Sequence, residues 1–145
     1  MIRKATNTDF PELADIYHDA SLIAHPFIDP AFIARDKRRV RDDLLPLNKS
    51  FVFEHNGKIM GFISLTDHHI NGLFVKVEHQ REGIGTALIE HAKDRHQTLE
   101  LCCFVDNYSA QRFYHAQDFE IIREQMNDEL PHEEYVMRWA ETADA

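Results

Sequence analysis

The sequence predicts an α+β fold built on a mixed sheet, and three observations point there. The 145 residues suffice for one hydrophobic core and not for two. Their apolar runs follow the order β-α-α-β-β-β-α-β-α-β-β. Strands and helices alternate only in the second half, whereas a doubly wound fold would alternate throughout. With 43% hydrophobic and 28% charged residues and only five Gly and five Pro, the chain is neither disordered nor fibrous in composition. It shows no internal repeat and no low-complexity tract.

Met1 to Ala5 reads as a first strand. Thr8 or Asp9 can cap the helix that follows, with Glu12 three residues after Asp9 as in a capping box. Phe10, Leu13, Ile16, Tyr17, Ala20 and Ile23 recur at helical spacing, so this helix should run to about Ala24. Asp29-Pro30, an N-cap followed by proline at the first helical position, opens a second helix expected to end before Pro46. Its Arg35, Lys37, Arg38, Arg39 and Arg41 read as a solvated face. Ser50 to His55 and Lys58 to Thr66 flank Asn56-Gly57, a pair favoured in type I′ turns because both central residues need positive φ. An antiparallel hairpin results. His69 to Val75 is the next strand, and Ile84, Ala87, Leu88 and Ala92 stripe a helix from about Gly83 to His96. Leu99 to Val105 is strand-like, Ser109 to His115 a short helix, and Phe119 to Gln125 and Glu133 to Trp139 the last two strands.

Several function classes fall away on composition. No apolar run approaches the roughly 20 residues of a membrane-spanning helix, and Met1-Ile2-Arg3-Lys4 enters the first strand without a signal peptide's apolar region. A cytoplasmic protein with no membrane partner is expected. The net charge of −9 argues against nucleic acid as a partner and mildly favours a cationic substrate. Cys102 and Cys103 are neighbours in a strand and should point to opposite faces, filling space rather than forming a disulfide. His68-His69, His91 with His96, and His115 make no closed set at ligand spacing, so no metal site is expected. Asp128, Glu129, Glu133 and Glu134 could attract a cationic amine, but read first as solvated surface. A monomer and a homodimer are both compatible with the sequence.

The segment "QREGIGTAL", Gln80 to Leu88, places two glycines at a helix start. The first amides of a helix lack partners and carry partial positive charge, so they can bind phosphate. Glycine at 83 and 85 removes the Cβ atoms that would keep a ligand away, although the same glycines could simply allow close helix packing. A P-loop would need Lys-Ser or Lys-Thr after its second glycine, and here Thr86-Ala87 follows. A dinucleotide fingerprint would need a third glycine where Leu88 stands.

Leu73-Phe74-Val75 followed by Gln80-x-x-Gly83-x-Gly85 resembles the coenzyme A signature Q/R-x-x-G-x-G/A of the GCN5-related N-acetyltransferases. Asn107-Tyr108-Ser109-Ala110 with Phe113-Tyr114 is similar to that family's second block, N-x-x-A followed by F-Y, and the element order matches over essentially the whole chain. Asp118-Phe119 stands where the family usually has Gly-Phe; Asp tolerates the left-handed conformation, so the turn should be kept. The resemblance implies a single N-acetyltransferase domain over residues 1–145, with a GNAT-like fold: a central mixed, mostly antiparallel sheet of about seven strands flanked by helices. It further implies transfer of acetyl from acetyl-CoA to a primary amine of a small molecule, peptide or protein in a ternary complex. Its cofactor-binding residues would be Phe74, Val75, Val77, Gln80, Arg81, Glu82, Gly83, Ile84, Gly85, Thr86 and Asn107. Among these, the amides from Arg81 to Thr86 would take the pyrophosphate and the backbone near Phe74 and Val75 the thioester carbonyl, which is oxyanion stabilisation in kind.

Tyr114 looks like the family's general acid, able to protonate the coenzyme A sulfur. It could also be plain core, as Asn107 could be a helix cap. A lysine-like amine is mostly protonated at neutral pH, so a base is needed. His69, six residues before Val75 on the strand leading to the cofactor, is the candidate, with Glu54 on the neighbouring strand or a water chain as alternatives. The acceptor would be selected by the first two helices and the loop from Met126 to His132. A non-catalytic module that binds and senses an acyl-CoA would carry the same cradle; Tyr114 and a candidate base favour catalysis.

Overall fold

A computed structural model describes residues 1–142, so the last three residues of the domain expected over 1–145 lie outside the described part. One sheet contains β1 (Ile2–Lys4), β2 (Lys49–His55), β3 (Lys58–Thr66), β4 (His69–Val75), β5 (Thr98–Phe104), β6 (Glu120–Met126) and β7 (Glu133–Ala140). Their spatial order is β1-β2-β3-β4-β5-β7-β6. Every neighbouring pair is antiparallel except β4 and β5. Helices α1 (Phe10–Ala24), α2 (Pro30–Arg39) and the short α3 (Leu45–Leu47) precede β2, α4 (Ile84–Lys93) joins β4 to β5, and α5 (Tyr108–Ala116) follows β5. The expected element order and mixed sheet are both found.

The local chemistry explains where expectation holds and where it fails. Asn56 and Gly57 sit at φ 52° and 75°, the positive pair that closes the β2–β3 hairpin. Asp118 adopts φ 69°, so the turn before β6 is kept without glycine, and the Phe119 that follows is fully buried. Asp9 is the N-cap residue of α1, as expected, but its side chain makes no capping bond to that helix. Asp9 faces back rather than forward: its carboxylate accepts from the Thr6 amide at 2.8 Å and from Arg3 Nη1 at 2.8 Å, and a 3₁₀ turn over Asn7–Asp9 precedes the helix. The second helix also continues past its expected end, through a π-helical turn over Val40–Leu44 into α3, which contains Pro46. The Leu45 amide reaches back to the Val40 carbonyl, a widening just before the residue that has no N–H to donate. The Leu44 carbonyl is then taken by Asn48 Nδ2 at 2.8 Å.

Two apolar layers cover the sheet. Ile63, Ile70, Leu88, Ile89, Leu99, Leu101 and Phe119 form the layer under α4 and α5, and Leu13, Ile16, Val40, Leu45, Val52 and Phe62 the layer under α1 and the turn after α2. Ile23, expected in the first helix's stripe, is 62% exposed because the stripe ends at Ala20 and Ser21. Cys102 and Cys103 do point to opposite faces, the first exposed and the second buried, and both are free thiols.

Arg3 joins β1, β2 and the approach to α1 through ion pairs with Asp9 and Glu54. Its guanidinium holds the Asp9 carboxyl down at about 2. A folded-state pKa below the ordinary carboxylate value means that stability is gained above pH ~4 and lost as pH falls toward 2. The melting-temperature gap between the wild type and Asp9→Asn should therefore be widest near pH 5 and close toward pH 2; a gap that stays constant over that range would exclude the pair as its source.

The feature that positions the site is the seam between β4 and β5. These parallel strands pair only at His69 with Glu100 and Ile70 with Leu101. Immediately afterwards Asn71 is an extra residue in β4, since Ile70 and Gly72 oppose the adjacent Leu65 and Ser64 of β3. Such a bulge raises local twist and turns a strand away from its neighbour. Beyond it the two strands diverge and the sheet opens.

Candidate active site

The opening between β4 and β5 is the floor of a cleft of about 1150 Å³, walled by α1 and α2, by the starts of α4 and α5, and by the loop between β6 and β7. The Lys76 amide donates to the Met60 carbonyl of β3 at 2.8 Å. Successive amides along a strand point to opposite sides, so the Val75 amide faces the gap that β5 has left. The Val75 carbonyl is held on that side by Gln80 Nε2 at 3.3 Å.

At the cleft mouth Arg81 and Gly83 adopt φ 67° and 86°, turning the chain sharply into α4. Gly83 is the helix N-cap and offers no side chain to the amides behind it. The main-chain amides from Arg81 to Thr86 make no hydrogen bond among the described residues. They are the unsatisfied donors of a helix N-terminus, turned toward a solvent-filled cleft. The two glycines serve different ends. A Cβ on Gly83 would meet nothing within 4 Å, so its bareness answers to φ and to the open space above it. A Cβ on Gly85 would meet the Phe113 ring at 3.2 Å, so close α4–α5 packing, the other use the sequence allows for this glycine, also constrains the position.

Tyr114 enters the cleft from α5. Its ring is half-buried against Phe113 and Phe119, at centroid distances of 5.2 and 5.7 Å. Burial, and then the neighbouring Cys103, push its phenol above the ordinary value, so it keeps its proton at neutral pH. Asn107 caps α5 by accepting from the Ala110 amide at 3.2 Å, and its Nδ2 lies 3.1 Å from His25 Nε2 in the α1–α2 connection. Burial pushes His25 down to about 4. The imidazole is neutral and accepts the amide proton at Nε2, leaving its own proton on Nδ1.

Phe74, Val75, Gln80, Arg81, Gly83, Ile84, Gly85, Thr86, Asn107 and Tyr114 all line the cleft. Val77 and Glu82 do not; Val77 lies in a 3₁₀ turn over Val77–His79 and Glu82 is exposed beside His79. Neither candidate base reaches it. His69 starts β4, roughly 20 Å along the strand from Val75, beside Glu100 and below the opening. Burial lowers its pKa there. Glu54 is held by Arg3 at the other side of the sheet.

Three features of the cleft were read from sequence only in part or not at all. Tyr17 donates to Asp36 Oδ2 at 2.6 Å, with Arg39 on the other oxygen at 2.6 Å. Cys102 lies on the cleft side of β5, its thiol pushed up to about 11 by burial and by Glu134, so it is no nucleophile. Glu134, expected on the surface, is 7% exposed. Its only sequence signal is period two: it shares a β7 face with buried Val136. Among the described residues no three His, Cys, Asp or Glu side chains gather at metal-ligand spacing, and no helix is long and apolar enough to cross a membrane.

Comparison with known proteins converges on one family. Residues 46–121 match the model of the acetyltransferase (GNAT) domain. The chain is 31% identical over 140 residues to the peptidyl-lysine N-acetyltransferase YiaC of Escherichia coli (strain K12), covering 96% of each chain. It is 26% identical to the peptidyl-lysine N-acetyltransferase YjaB of Salmonella typhimurium, covering 89% of each. Among solved structures, the solution structure of apo-form YjaB from Escherichia coli superimposes with a TM-score of 0.87 at 22% identity, over 98% of each chain. The PaiA N-acetyltransferase of Thermoplasma acidophilum, solved in complex with coenzyme A, gives 0.80 at 17% identity over 97% of this chain and 98% of its own.

Proposed function

The chain belongs to the acetyltransferase (GNAT) family, and from that premise we propose that it transfers the acetyl group of acetyl-CoA to the side-chain amine of a lysine in a peptide or protein, through a ternary complex. One observation carries the reading: a run of partnerless amides at the start of α4 and a protonated phenol line one cleft, whose floor is an opened sheet seam. The residues fit the cosubstrate. Arg81 to Thr86 supply donors for a pyrophosphate, a Cβ on Gly83 would meet nothing within 4 Å, and Arg81 and Arg112 bring positive charge to the cleft lining. The lysine acceptor is supported by the printed names of two relatives, both peptidyl-lysine N-acetyltransferases.

Acetyl-CoA supplies an acyl group already activated as a thioester, so the protein's tasks are to hold, orient and move protons. The amides of Arg81 to Thr86 bind phosphate oxygens. The Val75 amide is the donor available to a carbonyl oxygen lying along β4, and it costs no reorganisation because β3 and Gln80 already fix that strand. Tyr114 holds a proton at Oη for the departing sulfur. With His69 and Glu54 outside the cleft, the amine's proton goes to water in the open cleft rather than to either side chain. Asn107 acts indirectly, by fixing the start of α5 and, through His25, the α1–α2 connection.

The test is release of free thiol from acetyl-CoA with three acceptor sets: lysine-containing peptides blocked at the N-terminus, peptides whose only amine is the α-amine, and small amines. Turnover should be fastest with the first. Tight binding of acetyl-CoA without turnover on any set would overturn the reading.

A further inference from the structure

Glu134 is a carboxylate removed from water without a cation. Among the described residues no Lys, Arg or His comes within ion-pair range of it. Its two oxygens are held instead by neutral amides: Gln125 Nε2 donates to Oε2 at 2.7 Å and Asn127 Nδ2 to Oε1 at 2.9 Å. Asn127 is itself fixed, because its Oδ1 accepts from the Glu129 and Leu130 amides at 2.9 Å each. The β6–β7 loop is thus folded around this carboxylate. Neutral donors leave its charge in place, and a buried charge remains costly until an opposite charge joins it. The Tyr17–Asp36 pair differs in this respect, since Arg39 already neutralises Asp36.

The surroundings restrict what that cation can be. Glu134 lies directly across the β5–β7 ladder from Phe104. Around Phe104 stand His25, Phe27 and His132, with ring centroids 5.2, 5.6 and 6.2 Å from it. Of these rings His25 and Phe104 line the cleft, with Phe27 and His132 packed against them, and they offer apolar surface to an alkyl chain and aromatic surface to an ammonium. His25, pushed down to about 4 by burial, contributes no positive charge that would compete for Glu134.

We propose that Glu134 is the counter-ion for the acceptor: the cleft selects a primary ammonium borne on an alkyl chain long enough to pass His25 and Phe104. A lysine side chain and a free alkyl diamine share that chemistry; the short α-amine of a peptide does not. The inference rests on the acyl-transfer reading above and adds to it the charge and reach of the acceptor. Glu134 is an acceptor-binding residue, recognising the ammonium form that predominates in solution before the proton is lost.

The experiment measures equilibrium binding to the coenzyme A-loaded protein, separately from turnover. The ligands are Nα-acetyl-lysine methylamide, 1,5-diaminopentane and the uncharged Nα-acetyl-norleucine methylamide. The proteins are the wild type, Glu134→Gln and Glu134→Asp, with coenzyme A affinity and melting temperature as checks on folding. The wild type should bind both ammonium ligands and not the norleucine amide. Glu134→Gln should lose about tenfold or more in affinity for the charged ligands, the range of a hydrogen bond to a charged group, with coenzyme A affinity unchanged, and Glu134→Asp should recover part of it. The ratio between the two charged ligands identifies which source of the ammonium is preferred. Equal affinity of wild type and Glu134→Gln, or failure of the wild type to bind either charged ligand, would overturn the proposal. Binding of the charged ligands without thiol release from acetyl-CoA would instead overturn the acyl-transfer reading and leave the counter-ion in place.

Discussion

Tyr114→Phe should slow single-turnover acetyl transfer by roughly 10²-fold or more, since general acid catalysis typically contributes 10²–10⁴-fold. The substitution keeps the ring, and therefore its contacts with Phe113 and Phe119, while deleting the donor. Folding and cosubstrate affinity should change little. The phenol's raised pKa sharpens the expectation. A group that holds its proton this firmly donates a hydrogen bond to the sulfur throughout and gives up the proton only as negative charge develops there, so its effect belongs to the transition state and not to binding. Product release could mask the loss in steady state, and the rate should be measured in a single turnover at saturating acetyl-CoA. A variant that transfers acetyl at the wild-type rate would leave Tyr114 as a packing residue.

Gly83→Val should weaken acetyl-CoA binding by roughly 10- to 150-fold, the equivalent of about 1.5–3 kcal/mol for one hydrogen bond to a charged group. Two effects act in that variant. At φ 86° a β-branched side chain is strained, and the new atoms enter the space over the partnerless amides, where no protein atom lies within 4 Å of the added Cβ. Gly83→Asn separates them, because Asn tolerates the left-handed region while still adding a Cβ. It should fold nearly as well as the wild type and still lose affinity in calorimetry. Unchanged affinity in a folded Gly83→Val protein would remove the phosphate from these amides. Gly85→Ala should behave differently: its Cβ presses on Phe113, so stability should fall more than affinity.

The elements whose cause is local were legible in the sequence. The bounds of His69–Val75 and Lys58–Thr66, the Asn56-Gly57 turn and the left-handed Asp118 all follow from residues within a few positions of one another. The side chain of the Asp9 cap shows the limit of such reasoning. Its spacing to Glu12 fits a box, but Arg3 lies across from it and turns the carboxylate the other way. Pro46 misled for a related reason, since a widened helical turn absorbs a missing N–H at no cost visible in composition. In the site, the cradle was legible because the glycines and the helix start are one segment. The distance of His69 from the cleft was not, because His69 and Val75 share a strand but stand at opposite ends of it. Glu134 was legible only as one of four acids that could attract a cationic amine, and its burial was not. Its burial depends on Gln125 and Asn127 across the β6–β7 pairing and on Phe104 from another strand, and no one-dimensional pattern brings those four together.

The seam between β4 and β5 also bears on how the molecule holds itself together. With only two residue pairs joining them, β1–β4 and β5–β7–β6 are two nearly separate hydrogen-bonded ladders, coupled mainly through the apolar layer under α4 and α5. Sub-global opening in the free enzyme therefore has a natural fracture line, along which the halves of the sheet can loosen before either one unfolds. A ligand lodged in the seam touches both halves and stabilises only the state in which they are joined, so cosubstrate binding doubles as a mechanical clasp that makes two units unfold as one.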